Sequence, residues 1–89
     1  MGYEMEPQQS TVKVHDLGLA AALVCRGVEI SNIVKGEKGR AYFIFCYGSE
    51  LDADINVAID NYWYNHLEVD ARQFADNIKM LKSRIYSER

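Results

Sequence analysis

Arg40-Ala41-Tyr42-Phe43-Ile44-Phe45-Cys46-Tyr47, with Gly39 before it and Gly48 after it, is the stretch that decides the fold. Its aromatic and β-branched side chains suit a pleated, half-buried surface, and the glycines bound it as a strand. Successive strand residues point to opposite faces, so Ala41, Phe43, Phe45 and Tyr47 line one side and Tyr42, Ile44 and Cys46 the other. Both sides are apolar and both call for cover. Eighty-nine residues offer little material for two layers over one sheet. Either a helix covers each face, or a second copy of the protein covers one.

Working outward, Val28–Lys35 reads as the preceding strand, with Ile33-Val34 breaking the alternation and a bulge near Asn32. Gly36-Glu37-Lys38-Gly39 is the hairpin loop between the two strands. Upstream, Asp16 is placed to cap a helix over residues 17–26, and Gly27 is placed to stop it. That helix is apolar on nearly every side, which implies burial. Thr11–Val14 is a short strand before it, and residues 1–10 read as a flexible tail.

Downstream, Ser49 with Asp52 three residues on looks like the start of a second helix over 50–65. Leu51, Ile55, Ala58, Ile59 and Tyr62 give it a core face, and Asn65-His66 ends it. Leu67-Glu68-Val69 is a short edge strand or a linker. Asp70 caps a third helix over 70–87, whose stripe is Phe74, Ile78, Leu81 and Ile85. The expected fold is a small single-domain α+β chain over residues 11–89. Its order is β-α-β-β-α-(β)-α, with an antiparallel hairpin at its centre packed by helices. It matches a split β-α-β arrangement with an added C-terminal helix. The alternative puts all helices on one face of a three-stranded sheet and leaves the other face open for a partner.

Several motifs taken in order resemble a known group. They are Asp16-Leu17-x-Leu19-Ala20-Ala21-x-Leu23-x-x-x-Gly27, Phe43-x-Phe45, Tyr62-Trp63, Leu67-x-Val69-Asp70-Ala71-Arg72, and Leu81-Lys82-x-Arg84-Ile85-Tyr86. Together they resemble a family of short prokaryotic and phage proteins catalogued as a domain of unknown function. The resemblance implies one compact domain and a prokaryotic or phage setting. It implies no activity, cofactor or catalytic residue.

Composition narrows the function. The hydrophobic fraction of 48% suits a globular core, and the net charge of −3 lacks the basic excess of a typical nucleic-acid binder. No apolar stretch reaches the ~20 residues of a membrane span. Met1–Ser10 lacks the basic and apolar regions of a signal peptide, so the expected compartment is the cytoplasm, with no membrane partner. Cys25 and Cys46 sit in apolar settings and read as reduced core thiols.

Chemistry is sparse. His15, Cys25, Cys46 and His66 are the soft metal ligands, and no two have the close spacing of a zinc site. No metal and no cofactor are expected. His15 beside Asp16, and His66 near Glu68, resemble a base with its orienter, but Asp16 is better explained as a cap. Gly36-x-x-Gly39 is too short for a phosphate loop, and no nucleophile turn is present. The reading is non-enzymatic.

Two surfaces remain. On the second helix, Val57 and Tyr64 fall opposite the core face and Trp63 falls on a flank, with His66 just beyond. Adjacent helical residues stand ~100° apart, so Tyr62-Trp63-Tyr64 cannot all point inward, and exposed aromatics favour interfaces. These four residues are the expected protein- or ligand-binding site. On the third helix, Arg72, Lys79, Lys82 and Tyr86 share a face able to contact an anion or nucleic acid. The expectation is a homodimeric binding or accessory protein that acts on a protein or a small ligand, for instance as an inhibitor of a host system. The alternative is a nucleic-acid-binding regulator that uses the third helix.

Overall fold

The aromatic run becomes the central strand of a three-stranded antiparallel sheet. The computed structural model describes residues 8–36 and 40–87. In chain order the elements are β1 (Gln9–Val14), α1 (Leu17–Cys25), β2 (Glu29–Lys35) and β3 (Ala41–Gly48). A 3₁₀ turn (Ser49–Leu51), α2 (Asp52–Trp63) and α3 (Ala71–Ser87) follow. The strand order is β1-β3-β2, so β3 inserts between two strands that α1 connects. This is the expected split β-α-β unit within an α+β fold.

Register follows the pleat. Val14 pairs with Phe43 and Val12 with Phe45 on one side, while Ile33 pairs with Phe43 on the other. The predicted bulge is present: the ladder slips between Ile30 and Asn32, leaving Ser31 as the extra residue. Residues 37–39 of the expected hairpin loop lie outside the described residues. Its ends are tied where the Gly36 N–H donates to the Arg40 carbonyl at 2.5 Å.

Val14, Ile33, Phe43 and Phe45 are buried against Leu19, Ala20, Ala21 and Leu23 of α1, Ala58 of α2 and Leu81 of α3. Each large side chain removed from water in this way contributes ~1.5–3 kcal/mol. Tyr42, Ile44 and Cys46, on the reverse side of β3, are only half-buried. The helices therefore pack on one face, as in the alternative arrangement, and the reverse face of the sheet is open.

Local chemistry sets the helix ends. The Asp16 carboxylate accepts the Leu19 N–H at 2.8 Å and starts α1. At its other end the Val28 N–H reaches the Leu23 carbonyl and the Gly27 N–H the Val24 carbonyl, with Gly27 at φ +86°. The same pair of bonds closes α2, from His66 to Asn61 and from Asn65 to Tyr62, with Asn65 at φ +63°. Asp70 caps α3 by accepting the Gln73 N–H at 2.9 Å.

Two expectations need correction, at Ser49 and at Gln9 and Ser10, and one open alternative is decided. Ser49 does not cap the second helix: its N–H bonds to the Gln8 carbonyl at 3.0 Å, which draws it into the end of the sheet, and α2 starts at Asp52 with no side-chain cap. Leu67-Glu68-Val69 is a linker and not a strand; Leu67 and Val69 are half-buried beside Phe74 and Tyr62. Gln9 and Ser10, assigned to the tail, belong to β1.

Candidate functional site

α2 contacts the body of the domain through Ile55, Ala58, Ile59 and Tyr62, which recur one helical turn apart. The Tyr62 hydroxyl donates to the Asp16 carboxylate at 2.5 Å and pins the C-terminal end of α2 to the start of α1. Burial, the hydrogen bond to Asp16 and the charge of that carboxylate push the Tyr62 pKa up to about 12. The phenol therefore stays protonated and keeps donating.

The opposite flank of α2 overhangs the end of the sheet and encloses a groove of about 680 Å³. α2 and the turn before it contribute Leu51, Asp54, Ile55, Val57, Ala58 and Asn61. Arg26, Gly27, Val28 and Glu29 form the opposite wall, where α1 turns into β2. Gln9, Cys46, Tyr47 and Gly48 close it at the end of the sheet. The lining is an apolar strip (Val28, Leu51, Ile55, Val57) rimmed by charges of both signs. Burial, and then the nearby Asp52 carboxylate, hold the Tyr47 phenol above its ordinary pKa. Tyr47 thus offers a neutral donor at the groove. Such a volume with an apolar lining and a few polar groups lies within the range of small-molecule sites.

The expected interface residues are all exposed, but they do not form one patch. Val57, 57% exposed, borders the groove. Trp63 is on the other flank, packed edge-on against the Tyr62 ring at 5.0 Å, and Tyr64 stands at the C-cap of α2 with 70% exposure. His66 is exposed beyond it, and its backbone N–H closes the helix. Arg72, Lys79, Lys82 and Tyr86 are exposed along α3, away from the groove, with the exposed Asp76 between Arg72 and Lys79.

The cysteines are not the core thiols expected. Both are free and half-buried. Cys25 accepts the Asn77 side-chain N–H at 3.2 Å, and Cys46 donates to the Gln9 amide oxygen at 3.1 Å on the open side of the sheet. His15 is exposed and packs at 5.3 Å against Tyr42 on that open side. Among the described residues, no three His, Cys, Asp or Glu side chains gather as a metal site, and no helix is long and apolar enough to cross a membrane.

A family model described as a domain of unknown function, DUF5659, matches residues 9–87, from the first residue of β1 to the last of α3. The chain belongs to the DUF5659 family. No curated protein and no solved structure matches it. For this DUF5659 domain, sequence reasoning found Val57 but missed the groove beside it. Arg26, Val28, Tyr47, Asp54 and Asn61 carry no local signal, because they meet only once α2 has been anchored across α1. The helical spacing places Leu51 on the core face, but it is exposed. It lies in the 3₁₀ turn, where each residue rotates ~120° and not ~100°, so the phase of α2 does not extend back to it.

Proposed function

We propose that this DUF5659 domain is a non-enzymatic binding protein that takes a small amphipathic ligand, or one side chain of a protein partner, in the groove beside α2. The observation that supports this reading is the pairing of a concave, apolar-lined volume with Leu51 and Val57, which α2 leaves exposed at its edge. The apolar strip supplies affinity by desolvation, and Tyr47, Asn61 and the charges of Arg26, Glu29 and Asp54 orient the occupant. Two free, partly exposed thiols suit a reducing cytoplasmic compartment.

The test is a fragment screen by backbone amide NMR on the full chain. Binders should shift resonances of Val28, Tyr47, Ile55 and Val57 together. Val57→Glu, at an exposed position, should abolish those shifts and leave the rest of the spectrum intact. A screen whose binders leave the groove resonances unmoved refutes the reading.

The nucleic-acid alternative keeps one supporting observation, the exposure of Arg72, Lys79, Lys82 and Tyr86 along α3. Asp76 within that stripe and the net charge of −3 weigh against it. Salt-dependent binding lost on Lys79→Glu with Lys82→Glu would favour it.

A further inference from the structure

The open face of the sheet has a composition of its own. Tyr42, Ile44 and Cys46 run down its middle, half-buried by their neighbours. By the pairing, β1 flanks them with Thr11 beside Cys46 and Lys13 beside Ile44. β2 flanks them with Glu29 beside Cys46, Asn32 beside Ile44 and Val34 beside Tyr42. All the helices lie on the reverse side, so nothing within the described residues covers this surface.

Its charges are sorted by end. At the Tyr42 end the Lys13 ammonium lies 4.6 Å from the centre of the Tyr42 ring, and the His15 ring packs at 5.3 Å. Arg40 is exposed there, and the alternation along β3 places it on the same side. At the other end Glu29 stands beside Cys46. A second carboxylate joins it. The position that a side chain on Gly48 would take is filled by the carboxylate of Glu50, and alternation puts that position on the open side. Cations thus occupy one end, carboxylates the other, and apolar groups the centre.

Turned end for end, such a face complements itself. We propose that a second copy of this chain covers it, about a two-fold axis that crosses the strands at Ile44. Ile44 then meets the partner's Ile44, and the Tyr42 end lies over the partner's Cys46 end. Arg40, in line with β3 at one end, faces the partner's Glu50 at the other, and symmetry repeats the pair. The face spans about 14 Å by 23 Å, from three strands ~4.8 Å apart and seven residues at ~3.3 Å each. That is smaller than the ~800 Å² per partner of a standard interface, so the dimer belongs to the transient class. The proposal does not rest on the groove, although Glu29 and Cys46 border both surfaces.

Sedimentation equilibrium over a concentration series tests it. The wild type should dimerise with a Kd of about 10–100 µM at low salt, and added salt should weaken it. Arg40→Glu and Glu50→Arg should each weaken association about tenfold or more, and the double variant should recover to within about threefold of wild type. Ile44→Asp should be monomeric. Arg40 and Glu50 are exposed, so the charge exchange stays readable if Ile44→Asp fails to fold. A wild type that stays monomeric to about 500 µM overturns the proposal. So does a double variant no better than either single one, or a dimer indifferent to folded Ile44→Asp.

Discussion

Replacing Tyr62 by Phe removes one oxygen and nothing else. The ring keeps its packing against the core cluster and against Trp63. What goes is the hydroxyl that donates to Asp16 at 2.5 Å and joins α2 to the start of α1 across the chain. A hydrogen bond to a charged group is worth ~1.5–3 kcal/mol, and the half-buried position lets water replace part of it, so a loss of about 1–1.5 kcal/mol is expected. For a domain of this size that lowers Tm by about 5–10 °C. Asp16 is not orphaned, because it still accepts the Leu19 N–H. Asp16→Ala should cost about 2 kcal/mol, from the lost cap and the lost phenol bond together. Urea unfolding followed by far-UV circular dichroism gives both values, and the double variant gives their coupling. In the Asp16→Ala background Tyr62→Phe should cost less than about 0.3 kcal/mol, since its partner is already gone. If Tyr62→Phe costs the same in both backgrounds, the bond is not what holds α2 in place and the reasoning fails.

The same phenol predicts an alkaline limit. Its folded pKa of about 12 lies above the ordinary 10.0, so the folded state holds the proton more tightly. The resulting stability is complete below about pH 10 and is lost as pH rises through about 12. Tyr47, also raised, adds loss in the same direction. Denaturation midpoints measured from about pH 9 to pH 12 should fall less for Tyr62→Phe than for wild type, and equal slopes would contradict the assignment. At the end of α1, Gly27→Ala should cost about 1–2 kcal/mol, because φ is +86° while nothing crowds an added methyl group. Asn65→Gly, at φ +63°, should be neutral or stabilising in the same unfolding assay.

The elements that were legible in the sequence carry local signals. Asp16 with Gly27, and Asp70 with Gln73, mark helix ends because capping involves residues a turn apart. The bulge at Ser31 showed as a broken alternation. The run at 41–47 announced two apolar faces, and the structure buries one of them. What stayed illegible depends on pairs distant in sequence. Ser49 looked like a cap because its continued pairing with Gln8 is invisible locally. The groove forms only where α2, the turn from α1 into β2 and the end of the sheet come together. Trp63 and Val57 were both marked as exposed, yet a helical phase alone did not say that opposite flanks of α2 face different surroundings.

The placement of β3 between β1 and β2 also orders events in time. Neither β1 nor β2 pairs with the other, so each lacks a hydrogen-bonded neighbour until residues 41–48 are available. A nascent chain that has emerged only as far as Lys35 holds an apolar α1 and two unpaired strands, and no sheet. Leu19, Ala20, Ala21 and Leu23 then have no Phe43 or Phe45 to pack against. Synthesis thus passes through a sticky interval that ends only when the last strand closes the sheet from its middle, and slowing translation before residue 41 should raise aggregation more than slowing it after residue 48.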